Sequence, residues 1–530
     1  MLEDHALITR IASKFHIIVT VLVAMLGAAF LGISAGEGDF FGIYVSIFAA
    51  SFIAVILALG DKYWMVIVFA FTTRLPAIPI KQRMLELPEI AAVLCSAVFL
   101  IRYAVKRQQF GIFRKEHAPF LLYTGWVIFI FIQNPVGLAD AGAALGGARF
   151  YAKILLALSA FLIVANQAID EKDCKWIWTI MLVGAIFESA YQIGMFFLPL
   201  GLIGLEGAVQ LQDPDAFYSW HQALAQLPIL LLMLGFARYK SGEIFSFRRL
   251  WIPVLFCLCV IVIAMSGKRA ALASVPLFAI TVACVRKEWG FLALWIAGAI
   301  MAAGIVVIGH GELFRLPLTI QRAFSVLPAK WDSELDSMSG GQDEFRIELR
   351  RQAMLKIEKD PWIGTGYQVN LSLSQALLAQ YSTRGGDTEL QVAPFAMGSA
   401  WHNTWLGYAA DFGIPASILV GVIYFSVIRK AWKWQKAMPA NSMIRMTTLY
   451  ILLFTVRDVV FSHTGGHSAE DAFSRWWMYG LLTALVLTHN RKPENRAEAN
   501  VMSGGQTLRK GSAPHFPDRR PARVARPVAI

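Results

Sequence analysis

"GFLALWIAGAIMAAGIVVIG", residues 290–309, runs twenty residues without one ionisable side chain. As a helix rising about 1.5 Å per residue it would extend about 30 Å, the thickness of a bilayer's hydrocarbon core. Stretches of the same kind recur, beginning with "FHIIVTVLVAMLGAAFLGIS" (15–34), which is too long for the apolar part of a signal peptide and is followed by further spans. The 530 residues are 57% hydrophobic and 16% charged, against about 25% charged in a typical soluble domain. The expected fold class is therefore all-α: a polytopic helical membrane protein of about 14 (12–14) transmembrane helices.

The expected spans are 15–34, 40–59, 63–80, 88–104, 118–133, 150–168, 176–197, 224–239, 250–266, 270–285, 290–309, 403–428, 446–462 and 474–488. The span at 63–80 is the most interrupted, by Arg74 and two prolines. With both termini inside, the basic connections "VKRQQFGIFRKEH" (105–117), "RYKSGEIFSFRR" (238–249), "RKEWG" (286–290) and "RKAWKWQKAMPANSMIR" (429–445) all fall on the cytoplasmic side. That is the bias by which Lys and Arg orient membrane proteins. It accounts for the net charge of +12 without any nucleic-acid partner.

A domain organisation follows. Residues 1–489 form a transmembrane body, a large external loop at 310–402 is inserted within it, and 490–530 are a basic tail. That tail holds nine Lys or Arg against three acids and has no apolar periodicity, so it reads as disordered, cytoplasmic and drawn to lipid headgroups. The 310–402 loop is far longer than an ordinary connection. Within it, "EFRIELRRQAMLKIEKD" (344–360) spaces Phe345, Leu349, Met354 and Ile357 as an amphipathic helix, which "DPWIGTG" then stops. A second helix is expected near "NLSLSQALLAQY" (370–381).

Cations at outward span ends oppose the orientation bias and need a reason to be there. Arg149, Lys268–Arg269 and the cluster Arg346, Arg350, Arg351 are the examples. A multiply charged anion would supply that reason, because a guanidinium grips phosphate oxygens bidentately and keeps its charge. Snorkelling at a helix end is the alternative for Arg149, and a solvated helix face for the loop arginines. His402 stands at the mouth of the span 403–428, where Asn403 already offers an N-cap. Its imidazole is then available as a base near neutral pH, or it is a second cap. The outer acids Asp332, Glu334, Asp336, Asp343 and Glu344 lie in a polar run with no chelating pattern, so no metal site is expected. Cys95, Cys174, Cys257, Cys259 and Cys284 show no paired spacing and read as apolar filler.

Four motifs in order resemble those of the bacterial O-antigen ligase and polymerase family: "GGARFYAKILLAL" (146–158), "MSGKRAALAS" (265–274), "FRIELRRQAMLKIEKDPWIGTGY" (345–367) and "HNTWLGYAADFG" (402–413). The resemblance implies a metal- and cofactor-independent inverting glycosyltransferase in the bacterial inner membrane, with its active site facing the periplasm. The implied donor is a glycan on undecaprenyl pyrophosphate, and the implied acceptor is a glycan or a lipid core. By the same resemblance His402 takes the proton from the acceptor hydroxyl. Arg149 and Arg269 hold the pyrophosphate, with Lys268, Lys153 and Arg346 assisting. A transporter or flippase of lipid-linked glycans also needs outward cations. It would further call for matching halves and many mid-span charges, and here those are Arg74, Glu188, Arg457 and Asp458. A non-catalytic component of a polysaccharide export complex is the third reading.

Overall fold

The computed structural model describes residues 50–56, 58–73, 76–80, 83–105, 111, 114–135, 148–197, 225–244, 249–367, 401, 403–439, 441–462 and 468–490. The first expected span, most of the second, the helix expected near 370–381, His402 and the tail beyond 490 lie outside the described residues. Residues 1–486 make one compact unit, and residues 487–530 a second, of which 487–490 are described.

The described chain is helical: α1 (Met65–Thr73), α2 (Leu87–Ala104), α3 (Ala118–Gln133), α4 (Ala148–Ala165), α5 (Glu171–Phe197), α6 (Gln226–Arg238), α7 (Trp251–Met265), α8 (Arg269–Arg286), α9 (Trp289–Gly309), α10 (Leu318–Phe324), α11 (Ser333–Lys359), α12 (Thr404–Ala437), α13 (Met443–Phe461) and α14 (Ser468–Asn490). Among the described residues α2, α4, α8, α9 and α12 are long and apolar enough to cross a membrane, and α3, α6 and α7 are shorter apolar helices. The α9 span, where the sequence carries no charge, is almost wholly exposed on the protein surface, with Ile300, Met301 and Ile308 each at least two-thirds accessible. A helix that apolar and that exposed has lipid for its solvent.

The expected span at 63–80 needs correction. Helix α1 stops at Thr73, and β1 (Pro76–Ile80) turns back as an antiparallel hairpin on β2 (Arg83–Glu86). Pro76 and Pro79 are the physical reason. Each lacks the amide N–H a helix interior needs, whereas a two-stranded edge tolerates the loss.

Two ends of the bundle can be told apart by their bonds. At one end the basic connections meet: Arg286 donates to the carbonyls of Tyr239 (2.6 Å) and Phe236 (2.9 Å), Lys62 pairs with Asp173 (2.6 Å), and Arg102 pairs with Asp61 (2.5 Å). At the other end α4, α8 and α12 begin and α7 and α13 finish. There Thr404 N donates to the Ser462 carbonyl at 2.7 Å, tying the start of α12 to the end of α13.

Helix α11 is the amphipathic helix expected in the long loop, longer than the 344–360 read from the sequence. Leu349 and Ala353 are fully buried and pack with Trp401 and Ala410, with Ile357 and Leu406 alongside. This face repeats every four residues. Met354, expected on it, is 45% exposed. The loop helix is therefore seated on the first turns of α12.

Candidate active site

Helix α12 contains a break that organises its surroundings. Pro415 has no N–H, and in a continuous helix its ring would collide with the carbonyl four residues back, that of Asp411. The chain relieves this at Gly413, which takes φ 77° and ψ 166°, a region open essentially to glycine alone. Three carbonyls then lose their helical partners and are satisfied from outside. Ala410 O accepts from Thr365 N at 3.1 Å, Asp411 O from Gly366 N at 2.7 Å, and Phe412 O from the Trp126 indole at 2.7 Å. In return Ile414 N donates to Pro361 O at 2.8 Å.

The segment "DPWIGTG" (360–366) is therefore more than the helix stop read from the sequence: it completes the hydrogen bonding of a broken span. Close approach demands the glycines. A Cβ on Gly364 would lie 2.5 Å from Gly413 N, and one on Gly413 would collide with the Trp362 carbonyl. The next residue fastens the same segment to α4, because Tyr367 N donates to the Tyr151 hydroxyl at 3.1 Å. Tyr151, Tyr367 and Phe412 stack edge to face around this junction.

His402 lies outside the described residues, but both its neighbours are held. Trp401 is 2% exposed and its indole donates to Asp411 Oδ1 at 3.2 Å. The Lys356 ammonium sits 4.6 Å over the Trp401 ring, a cation–π contact. Burial holds that ammonium below the ordinary lysine range, with Asp411 opposing the shift. On the other side Asn403 caps α12, as expected, accepting from Leu406 N at 3.1 Å.

The expected pyrophosphate residues fall into three settings. Arg149 and Lys153, on the first turns of α4, meet the two carboxylates that open α2. Arg149 forms a bidentate pair with Glu89 (Nε–Oε1 2.9 Å, Nη2–Oε2 2.7 Å), and Lys153 bonds Glu86 at 2.9 Å. Glu86 and Glu89 also form a capping box at the start of α2. Arg149 is thus an oriented guanidinium, half-buried and held by a carboxylate.

Lys268 and Arg269 open α8, with Arg269 Nε donating to the Arg322 carbonyl of α10 at 3.3 Å. The Lys268 ammonium is held below the ordinary lysine range, first by burial and then by the Arg457 guanidinium, with Glu188 opposing. Arg457 in turn donates through Nε to Ser274 Oγ at 3.1 Å, joining α13 to α8. Arg346 is exposed on α11. Among the outer acids, Asp332 is paired with Arg315 at 2.9 Å, which holds its carboxyl below the ordinary carboxylate range.

Residues 254–420 match the O-antigen ligase family. The resemblance read from three of the four motifs is shown over that stretch, which runs from α7 through the long loop to the first half of α12. A likeness to an O-antigen ligase family over that stretch suggests membrane glycan processing. Arg149 and Lys153 lie outside the matched ligase-family stretch, as does Arg457. A comparison with curated proteins found no match.

Sequence reading missed several residues at this end of the molecule. Glu86 and Glu89 went unremarked as partners, although "ELPE" (86–89) has the spacing of a capping box with proline inside. Nothing in the sequence announced that Trp126 and Tyr151 bond the broken helix and its clasp. Arg457 counted there as a mid-span charge with no partner in view.

Proposed function

We propose that this protein moves a glycan from undecaprenyl pyrophosphate to an acceptor hydroxyl at the outer face of the inner membrane, without a metal ion, as an O-antigen ligase or a polysaccharide polymerase. One observation carries the reading. Trp401, Asn403 and Thr404, on either side of His402, are anchored at the end of the bundle where α8 also begins with Lys268 and Arg269, and these five residues lie inside the ligase-family match.

The chemistry is a single displacement. His402 accepts the acceptor hydroxyl's proton as the oxygen attacks the anomeric carbon, and the bond from that carbon to the pyrophosphate oxygen breaks on the opposite face. The electron pair leaves with undecaprenyl pyrophosphate, and the anomeric configuration inverts. A positioned base contributes about 10²–10⁴ to such a rate. Fixed cations neutralise the charge gathering on the leaving group without reorganising. Lys268 suits that role: a half-buried ammonium that feels the Arg457 guanidinium is disfavoured when alone and relieved by an incoming anion. Arg149, Arg269, Lys153 and Arg346 are the further phosphate ligands of this proposal.

The test is reconstitution of purified protein with lipid-linked glycan and candidate acceptors. Release of undecaprenyl pyrophosphate with an inverted product linkage supports the reading. Movement of intact lipid-linked glycan across vesicles with no transfer would make the protein a flippase. In a deletion strain, shortened chains would indicate a polymerase, and accumulated unligated lipid-linked glycan a ligase.

A further inference from the structure

A cavity of about 80 Å³ lies among α1, α5, α6, α13 and α14. Every residue lining it falls outside the ligase-family match, so it is no part of that module. That is several times the roughly 10–15 Å³ a cavity needs to admit a single water, so it has room for more than one solvent-sized group. Its polar lining includes Arg457, Glu188, Gln226, Thr72 and Ser474, and Trp477 and Tyr450 are among its aromatic walls.

The position of the cavity follows from where these residues sit on their helices. Gln226 is the first residue of α6, Thr72 the last but one of α1, and Arg457 four residues from the end of α13. All three place it at the end where α12 begins. Two of the cations assigned to the pyrophosphate flank it. Lys268 feels the charges of both Arg457 and Glu188. Lys153 lies 5.6 Å over the ring of Phe473, the residue before Ser474, and Phe473 packs against Phe71, the residue before Thr72.

Ionisable side chains inside a membrane domain are costly and mark a ligand path. The kind of ligand follows from their balance. A phosphate site would hold cations alone, whereas this lining sets one guanidinium against one carboxylate and adds an amide and three hydroxyl-bearing residues, Thr72, Ser474 and Tyr450. Each sugar hydroxyl both donates and accepts, so neighbouring hydroxyls need planar groups of both kinds. The Trp477 indole N–H is committed to the Ser474 carbonyl at 3.2 Å, so its apolar ring is what it has to offer a ligand. A ring face suits the C–H face of a pyranose. Arg457 is steadied by Ser274, and Thr72 donates its proton to the Val68 carbonyl at 2.6 Å, so toward a ligand its oxygen can act only as an acceptor.

We propose that this cavity is a carbohydrate subsite taking one sugar ring of the lipid-linked glycan, with Arg457, Glu188 and Gln226 reading its hydroxyls and Trp477 supporting its apolar face. The proposal rests on the glycan-transfer reading above. It adds that sugar selectivity resides in helices outside the ligase-family stretch.

The test uses the full-length protein in nanodiscs and two probes. One is the glycan released from its own lipid-linked precursor and freed of phosphate; the other is undecaprenyl pyrophosphate bearing no sugar. The variants are Glu188→Gln, Gln226→Ala, Arg457→Lys and Arg457→Gln, each checked for an unchanged melting temperature. Expected is a tenfold or greater weakening of released-glycan binding in Glu188→Gln and Arg457→Gln, a smaller loss in the other two, and unaltered binding of undecaprenyl pyrophosphate in Gln226→Ala, which leaves the charges around Lys268 in place. Wild-type affinity for released glycan in Glu188→Gln and Gln226→Ala, or none in the wild type, overturns the subsite. Loss of undecaprenyl pyrophosphate binding in Arg457→Gln with glycan binding intact overturns it in favour of a phosphate site. If the wild type transfers glycan while the variants bind it normally, only the subsite fails. A wild type that neither binds lipid-linked glycan nor transfers it removes the transfer reading as well.

Discussion

Replacing Gly413 with alanine tests whether the clasp between residues 361–367 and the broken helix α12 governs activity. Gly413 holds φ 77° and ψ 166°, and its missing Cβ faces the Trp362 carbonyl. A non-glycine residue in that backbone region costs about 1–3 kcal/mol. The new methyl must also push Trp362 away, which strains two neighbouring bonds first: Ile414 N to Pro361 O and Thr365 N to Ala410 O. At about 1 kcal/mol net for each bond, the clasp loses about 3–5 kcal/mol in all. Since 1.4 kcal/mol is tenfold, the docked population falls by about 10²–10³ or more.

The rest of the bundle does not depend on these bonds, so the protein should insert and accumulate. Hydrogen exchange at Thr365, Gly366 and Ile414 should accelerate at least a hundredfold, and transfer should fall with it because the segment flanking His402 is tied to Asp411. Gly125→Ala is the control: its Cβ would meet nothing within 4 Å, and alanine is the better helix former by about 1 kcal/mol. Wild-type exchange and wild-type transfer in Gly413→Ala would refute the reasoning. Slow exchange with lost transfer would move the effect elsewhere.

His402→Ala is expected to reduce transfer by about 10²–10⁴ while binding of lipid-linked donor stays normal; near-normal turnover would return His402 to a capping role. Arg149→Ala removes the guanidinium from the buried Glu89, leaving it the Glu86 amide of the capping box, and should destabilise the protein by about 3–5 kcal/mol. The pair Arg149→Gln with Glu89→Gln should restore abundance but not transfer, and recovery of both would make the ion pair purely structural. A cysteine at Ser339 should react with an impermeant thiol reagent in intact cells, and labelling only after lysis would reverse the topology. EDTA should leave transfer unchanged, and inhibition reversed by one divalent ion would contradict the metal-free mechanism.

Much of the helical framework could be read along the chain, because in lipid every backbone amide must be bonded within its own segment. A charge-free run such as 290–309 has one solution, and it is α9. The two-proline stretch after Thr73 was the exception, since losing amide donors shifts the balance toward a hairpin that propensity along one strand does not show. The motifs around Lys268, Arg269, Asn403 and 360–366 were legible for the same local reason: tight turns and caps are coded by adjacent residues.

Pairings across the bundle were not legible. Arg149 sits 60 residues from Glu89 and Trp126 sits 286 from Phe412, and no local pattern records which of many possible partners a side chain meets. The sequence by itself determined where most of the described helices lie and how several are capped, because those choices are settled by neighbouring backbone groups. Only the tertiary structure decided that the 360–366 turn completes a broken span, that Arg149 is held by a carboxylate, and that Arg457 and Glu188 share a cavity. Those outcomes depend on which faces of distant helices are buried together, and burial, unlike a cap or a proline, has no signature in any one stretch of chain.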